Sequence, residues 1–451
     1  MPYKWRLNYF FLQNMDNTLV IFVDEVTKRL TYTLEQTLAV YGVSYELVND
    51  PFLFCQQDRL NLVYSNYPFE ERFLTISPST LLFEEEIRKV EIDKTSWRGE
   101  EILTIDGVLD PFAALFYLLS LYDEYFIDKK DHHDRIDAQS HVMVRFGWQK
   151  KLMVERWTKA IIDKLNDYYQ IPLDKKQPPF SVLPTFDIDN TYAYKLKKGT
   201  RKWLSQTKDV LFKDTDRLKE RKRVLSGRQK DPYDTFDLIR TIHRDYFPVK
   251  LFWLVGSYGR FDRNISLEDP KHRSLIQSLA TEIEIGLHPS YQSNKDESIL
   301  RYEKELLSNC LGKEVGSSRQ HFLKLKIPDT YVHLLNTKIK NDYTLGFANV
   351  VGFRAGISRP FSWFDLRNNQ ISELTIHPFA YMDGTLLEYL KFSPEQAKKE
   401  ISEVLQEVAC MGGTFAFIWH NETIGDYGKW NGWQDVLWHT INEGKELMEN
   451  R

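Results

Sequence analysis

The stretch Ser181-Val182-Leu183-Pro184-Thr185-Phe186-Asp187-Ile188-Asp189-Asn190 is a short apolar run that ends on two carboxylates one residue apart. It is too short for a helix and reads as a buried strand, whose period of two sends Asp187 and Asp189 to the same side. Two like charges held that close are unfavourable unless a metal ion or a proton is shared between them. A bare Asp-x-Asp also fits a solvated turn, because turns favour Asp. What argues for a site is the context, since several histidines follow later apolar runs.

Beyond this stretch, apolar runs alternate with helical segments. Residues 249–255 read as a strand, 274–283 as a helix, and Ile283-Glu284-Ile285-Gly286-Leu287 as a strand delivering His288. A helix over 297–309 leads to Gly316-Ser317-Ser318-Arg319-Gln320-His321. Gly352-Phe353-Arg354 and Thr375-Ile376-His377 follow further short runs, 394–409 is an amphipathic helix with proline at its start, and Thr414-Phe415-Ala416-Phe417-Ile418-Trp419 ends in His420. Such alternation predicts parallel strands with crossover helices, an α/β architecture in which chemistry collects at the carboxyl ends of strands.

Upstream, 19–23 reads as a strand, 30–41 as a helix, and 61–92 as short strands and turns. Asp110-Pro111 places a cap and a first-turn proline ahead of a run to Tyr122 that is apolar nearly all round, which predicts a buried helix. Asp131-His132-His133-Asp134-Arg135 reads as a solvated, charged loop. A helix over 154–169 precedes a connector with Pro172, Pro178 and Pro179. The boundary falls there, between a smaller N-terminal α/β domain over residues 1–172 and a second domain over 180–451.

With 42% hydrophobic and 14% aromatic residues, the 451-residue chain can bury a large core. A net charge of −4, with 60 basic and 64 acidic residues, gives no global pull towards nucleic acid or membrane. Residues 195–230 carry fourteen Lys or Arg against four acids. They read as a solvated helical insertion, the sharper alternative being a patch for an acidic glycan. Cys55, Cys310 and Cys410 form neither a disulfide framework nor a Cys-x-x-Cys site and are expected to be buried apolar fillers. Residues 1–14 lack the pattern of a secretory signal, and no run has the length of a membrane span, so a cytoplasmic location is expected; Met15 is an alternative start.

From Asp187 to Asn421 the chain resembles the polysaccharide deacetylase family, the NodB homology domain of carbohydrate esterase family four. The resemblance is to a two-domain bacterial branch with an uncharacterised N-terminal domain. The matching motifs are Thr185-Phe186-Asp187-Ile188-Asp189, Glu284-Ile285-Gly286-Leu287-His288, an arginine at a strand end (Arg319, with Arg354 as rival) and the apolar strand ending in His420. The resemblance implies an irregular (β/α) barrel and a metal-dependent hydrolase removing N-acetyl or O-acetyl groups from a sugar or polysaccharide. It implies Asp187 as general base oriented by an arginine, His420 as general acid, and Asp189 and His288 as ligands of a divalent metal, zinc before others.

One departure matters. Where the family has a second metal histidine, four residues after His288, this chain has Gln292, and His321 is the candidate third ligand. Trp419, Trp430 and Trp433 are read as exposed aromatics that could stack on sugar rings, with core packing the expected role of Trp419 at least. Two other readings compete. Asp187-Ile188-Asp189-Asn190-Thr191 fits the Asp-x-Asp-x-Thr motif of a phosphatase, but Gly425-Asp426 lacks the second acid of its magnesium site. A non-catalytic glycan-binding protein would keep the barrel without the metal.

Overall fold

The computed structural model describes residues 18–56, 59–173, 176–197 and 215–451. Residues 1–17, with the expected start region and Met15, and residues 198–214 of the basic segment lie outside them. The chain divides into two compact units. One comprises Met1–Phe126, Met153–Pro178 and Ser362–Ser372; the other comprises Ile127–Leu152, Pro179–Phe361 and Glu373–Arg451. The changeover at Pro178 falls in the proline connector, but neither unit is one continuous stretch.

The first unit holds a parallel sheet of β1 (Leu19–Val23), β2 (Tyr45–Val48), β3 (Leu60–Tyr64) and β4 (Leu74–Ile76), in the order β2-β1-β3-β4. Every residue of β1 and β3 is buried, which is why these strands read as continuous rather than alternating apolar runs. A separate antiparallel hairpin pairs β5 (Ile92–Trp97) with β6 (Glu100–Ile105). The helix Pro111–Leu119 is buried along its whole length. Asp110 caps it, accepting hydrogen bonds from the backbone N–H of Phe112 and Ala113 while Tyr64 and Ser79 donate to its other oxygen.

The second unit is organised by β7 (Phe180–Ile188), β8 (Lys250–Leu254), β9 (Glu284–His288), β10 (Ser317–Ser318), β11 (Asn341–Asp342), the end of β13 (Gln370–Ile376), β14 (Tyr381–Met382) and β15 (Gly413–His420), while β12 (Phe361–Asp365) after its first residue and the start of β13 fall in the Ser362–Ser372 stretch of the first unit. In the second unit the strands are ordered β13-β11-β10-β9-β8-β7-β15-β14, and every neighbouring pair runs parallel. The helices Phe236–Asp245, Pro270–Ala280, Glu297–Leu311 and Pro394–Met411 intervene between strands, giving the mixed α/β class read from the sequence. In β9, a Cβ at Gly286 would lie 2.8 Å from the Phe252 ring and 2.9 Å from the Ser317 carbonyl, so only glycine fits between β8 and β10.

Several local expectations change. The helix expected from residue 274 starts at Pro270, where Asp269 caps it with the same Asp-Pro signal seen at Asp110. Cys310 is buried, but Cys55 and Cys410 are exposed. Trp430 and Trp433 are buried against each other rather than exposed, whereas Trp419 is wholly buried in keeping with its core-packing reading. The 131–135 loop is only partly solvated: His132 is exposed, but His133 and Arg135 are each 7% exposed, Arg135 pairing with Asp131 and reaching the Phe322 carbonyl. Within the basic segment, Thr215–Leu225 is helical. No helix among the described residues is long and apolar enough to cross a membrane.

Candidate active site

Because β9, β8, β7 and β15 are parallel neighbours, their carboxyl ends fall on one edge of the sheet. Asp187 at the end of β7 sits in register with His420 at the end of β15, and His288 closes β9. Asp189 follows two residues after Asp187 and shares its side, as strand alternation requires. The loop after β10 brings Arg319 and His321 to the same place. These side chains border or underlie one cavity of about 480 Å³, lined among others by Asp187, Asp189, His288, His321, His420 and Glu422.

The geometry separates two functional groups. In the first, Asp189 Oδ1 lies 3.1 Å from His288 Nε2 and Asp189 Oδ2 lies 3.2 Å from His321 Nε2. One donor atom from each of the three residues falls within 4.8 Å of the others. The far side of each imidazole is held: His288 Nδ1 donates to the Arg319 carbonyl, and His321 Nδ1 stands 2.8 Å from Asp262. With the protons drawn to Nδ1, both Nε2 lone pairs face carboxylate oxygens, and such contacts repel unless a proton or a cation lies between them. Asp189 Oδ1 is buried without a hydrogen bond. Two imidazoles and a carboxylate, oriented from behind, therefore fit a divalent ion of the zinc class.

Charge in this cluster is strongly coupled. Burial would raise the Asp189 carboxyl, but the imidazoles of His321 and His288 outweigh it and hold it well below the usual carboxylate range. Burial would lower His321, yet Asp189 and Asp262 raise it to about 9. A site that binds a proton this firmly without a metal releases that proton when a cation takes its place.

In the second group, Arg319 Nη1 donates to Asp187 Oδ1 at 2.8 Å, while Asp187 Oδ2 is 3.8 Å from His288 Nε2. Of the two arginines considered from the sequence, it is Arg319 that meets Asp187; Arg354 donates to the Gly346 carbonyl. Across the cavity, His420 Nδ1 pairs with Asp383 at 2.8 Å and its Nε2 stands 3.9 Å from Asp189. Burial opposes protonation of His420, but Asp383, and then Asp189 and Asp187, raise it well above its ordinary value.

Residues 19–170 match the model of a family of unknown function, DUF7033. No curated protein matches the sequence. Among solved structures, the chain is similar to a protein described as a polysaccharide deacetylase from Mycobacterium smegmatis, at 18% identity and a TM-score of 0.38, over 60% of this chain and 85% of that one. It is also similar to Puue allantoinase, at 9% identity and a TM-score of 0.36, over 59% and 84% of the two chains. A third is the polysaccharide deacetylase Bc1974 from Bacillus cereus, at 11% identity and a TM-score of 0.29, over 60% and 88%.

Four side chains at the site escaped the sequence reading. Asp383 follows the two-residue strand β14, too short a run to flag, and Asp262 lies well along the loop after β8, away from the strand end. Arg135 comes from the loop read as solvated. Glu422 lines the cavity two residues after His420, and burial, then the charge of Asp189, pushes it up to about 7. Not every strand-end histidine arrives: His377 follows β13 but stacks on Tyr343 at 4.1 Å and pairs with Asn341. Gln292 is exposed and lines a separate cavity with Phe261 and Tyr291. Asp426, the acid weighed for the phosphatase reading, accepts from the Gln434 backbone.

Proposed function

We propose that the chain is a metal-dependent hydrolase that removes acetyl groups, N-linked or O-linked, from a carbohydrate. On this reading the second unit is an irregular (β/α) barrel of the polysaccharide deacetylase type, and Asp189, His288 and His321 hold a zinc-class ion. The observation that carries it is the convergence of these three donors within 4.8 Å, both imidazoles braced at Nδ1, with Asp187 on one side and His420 on the other. When bound, the ion supplies Lewis-acid polarisation of the acyl carbonyl and acidifies water.

The chain's own residues do the rest. Asp187, its Oδ1 occupied by Arg319, is left with Oδ2 to take a proton from the attacking water. His420, kept protonated by Asp383, gives its proton to the departing nitrogen or oxygen, so that acetate and the free sugar amine or hydroxyl leave. Tyr233, Tyr389, Tyr427 and Trp430 on the cavity wall offer faces and hydroxyls to a sugar.

The test is metal analysis of the purified protein, followed by acetate release from acetylated oligosaccharides with and without chelator. Metal-dependent release supports the reading. Protein that binds acetylated oligosaccharide but neither metal nor releases acetate is a glycan-binding protein on the same framework.

A further inference from the structure

Residues 127–152 cluster with the second unit, yet they lie inside the 19–170 span matched by the family of unknown function. Arg135 from this stretch lines the candidate-site cavity. Its buried guanidinium donates from Nη1 to the Phe322 carbonyl at 2.9 Å, from Nη2 to Tyr389 Oη at 3.0 Å and from Nε to Asp131 at 2.8 Å. Phe322 has φ of 59° and ψ of 15°, and Leu323 has φ of 53°. Two consecutive bulky residues in the left-handed region are strained, and such a turn persists only where its surroundings hold it. It begins directly after His321. The Phe322 ring is gripped as well, packing 4.6 Å from His133, 5.4 Å from Tyr291 and 5.5 Å from Phe261.

We propose that Arg135 is a positioning residue of the metal centre: by holding the Phe322 carbonyl it fixes the left-handed turn that aims His321 Nε2 at Asp189. The proposal rests on the reading of Asp189, His288 and His321 as a metal site. His288 ends a sheet strand and is placed by its ladder, whereas His321 comes from a turn and needs a support of its own. Part of the region of unknown function would thereby have a role, supplying that support from a distant stretch of sequence.

Zinc affinity of the full chain, measured by calorimetric titration against a competing chelator, tests this without relying on turnover. Arg135→Met is expected to weaken zinc binding 10–100-fold, the usual cost of losing a group that orients a ligand. Arg135→Lys, which lacks the planar fork that reaches Phe322 and Asp131 together, loses part of that. Tyr389→Phe, which removes the guanidinium's other side-chain partner, leaves affinity unchanged. Wild-type affinity in Arg135→Met overturns the proposal, as does equal weakening by Tyr389→Phe, which would mean that only general packing is involved. Should Arg135→Met fail to fold, Arg135→Lys decides, and wild-type affinity there overturns it. If the unaltered protein takes up no zinc, the metal reading falls and this proposal with it; if it does and Arg135→Met binds equally well, only this proposal falls.

Discussion

Arg319 Nη1 donates to Asp187 Oδ1 at 2.8 Å with both side chains buried, and the same guanidinium donates to the Tyr343 carbonyl and lies 4.4 Å over the Phe252 ring. Asp187 is therefore fixed in orientation with one oxygen left for chemistry. Asp187→Asn should keep the metal but slow acetate release by roughly 10²–10⁴-fold, the contribution of a positioned base. Arg319→Met strands a buried carboxylate and should cost about 3–5 kcal/mol in urea unfolding. Asp187→Asn that retains most of the hydrolysis would remove Asp187 as the base.

The metal set makes an asymmetric prediction. Asp189→Ala, His288→Ala and His321→Ala should each abolish tight zinc binding, while Gln292→Ala, at an exposed position, should be nearly silent. Gln292→His should add little, because a tetrahedral site that keeps one position for water takes three protein ligands. Calorimetry on the five variants decides between His321 and the residue four places after His288.

His420 is raised by its pairing with Asp383 despite burial. A folded-state pKa above the unfolded value means that the pair's stabilisation is full below the unfolded pKa and is lost as pH rises through the folded one. Asp383→Asn removes the main raising cause, so His420 should lose its proton at lower pH. The basic limb of the kcat profile should then move towards acid; a limb that stays in place would sever His420 from Asp383 in the reaction.

Glu303, 1% exposed, accepts from the Ser290 backbone through one oxygen while the other has no hydrogen-bond partner, and burial pushes its carboxyl from 4.5 up to about 7. Between those two values the folded chain binds more protons than the unfolded one, so stability falls as pH rises through this window, by on the order of 3 kcal/mol. Glu303→Gln should flatten that slope in chemical unfolding measured from pH 4 to 8. An unchanged slope would show that Glu303 is not its source.

What the sequence determined by itself is the mixed α/β class of the second unit and the strand-end positions of its candidate site residues. An apolar run and strand alternation are local properties, so Asp187 and Asp189 on one side, His288 and His420 at strand ends, and the capped helix after Asp110 were all legible from adjacent residues. Tertiary structure decided which of these groups meet. Arg319 reaches Asp187 across 132 residues of sequence and Arg354 does not, and His321 meets Asp189 across the same separation. Asp262, Asp383 and Arg135 were passed over because a charged side chain off a long strand reads as solvated. Whether it is solvated depends on partners 59, 37 and 187 residues away, and those distances are closed by sheet register and loop packing rather than by any local pattern.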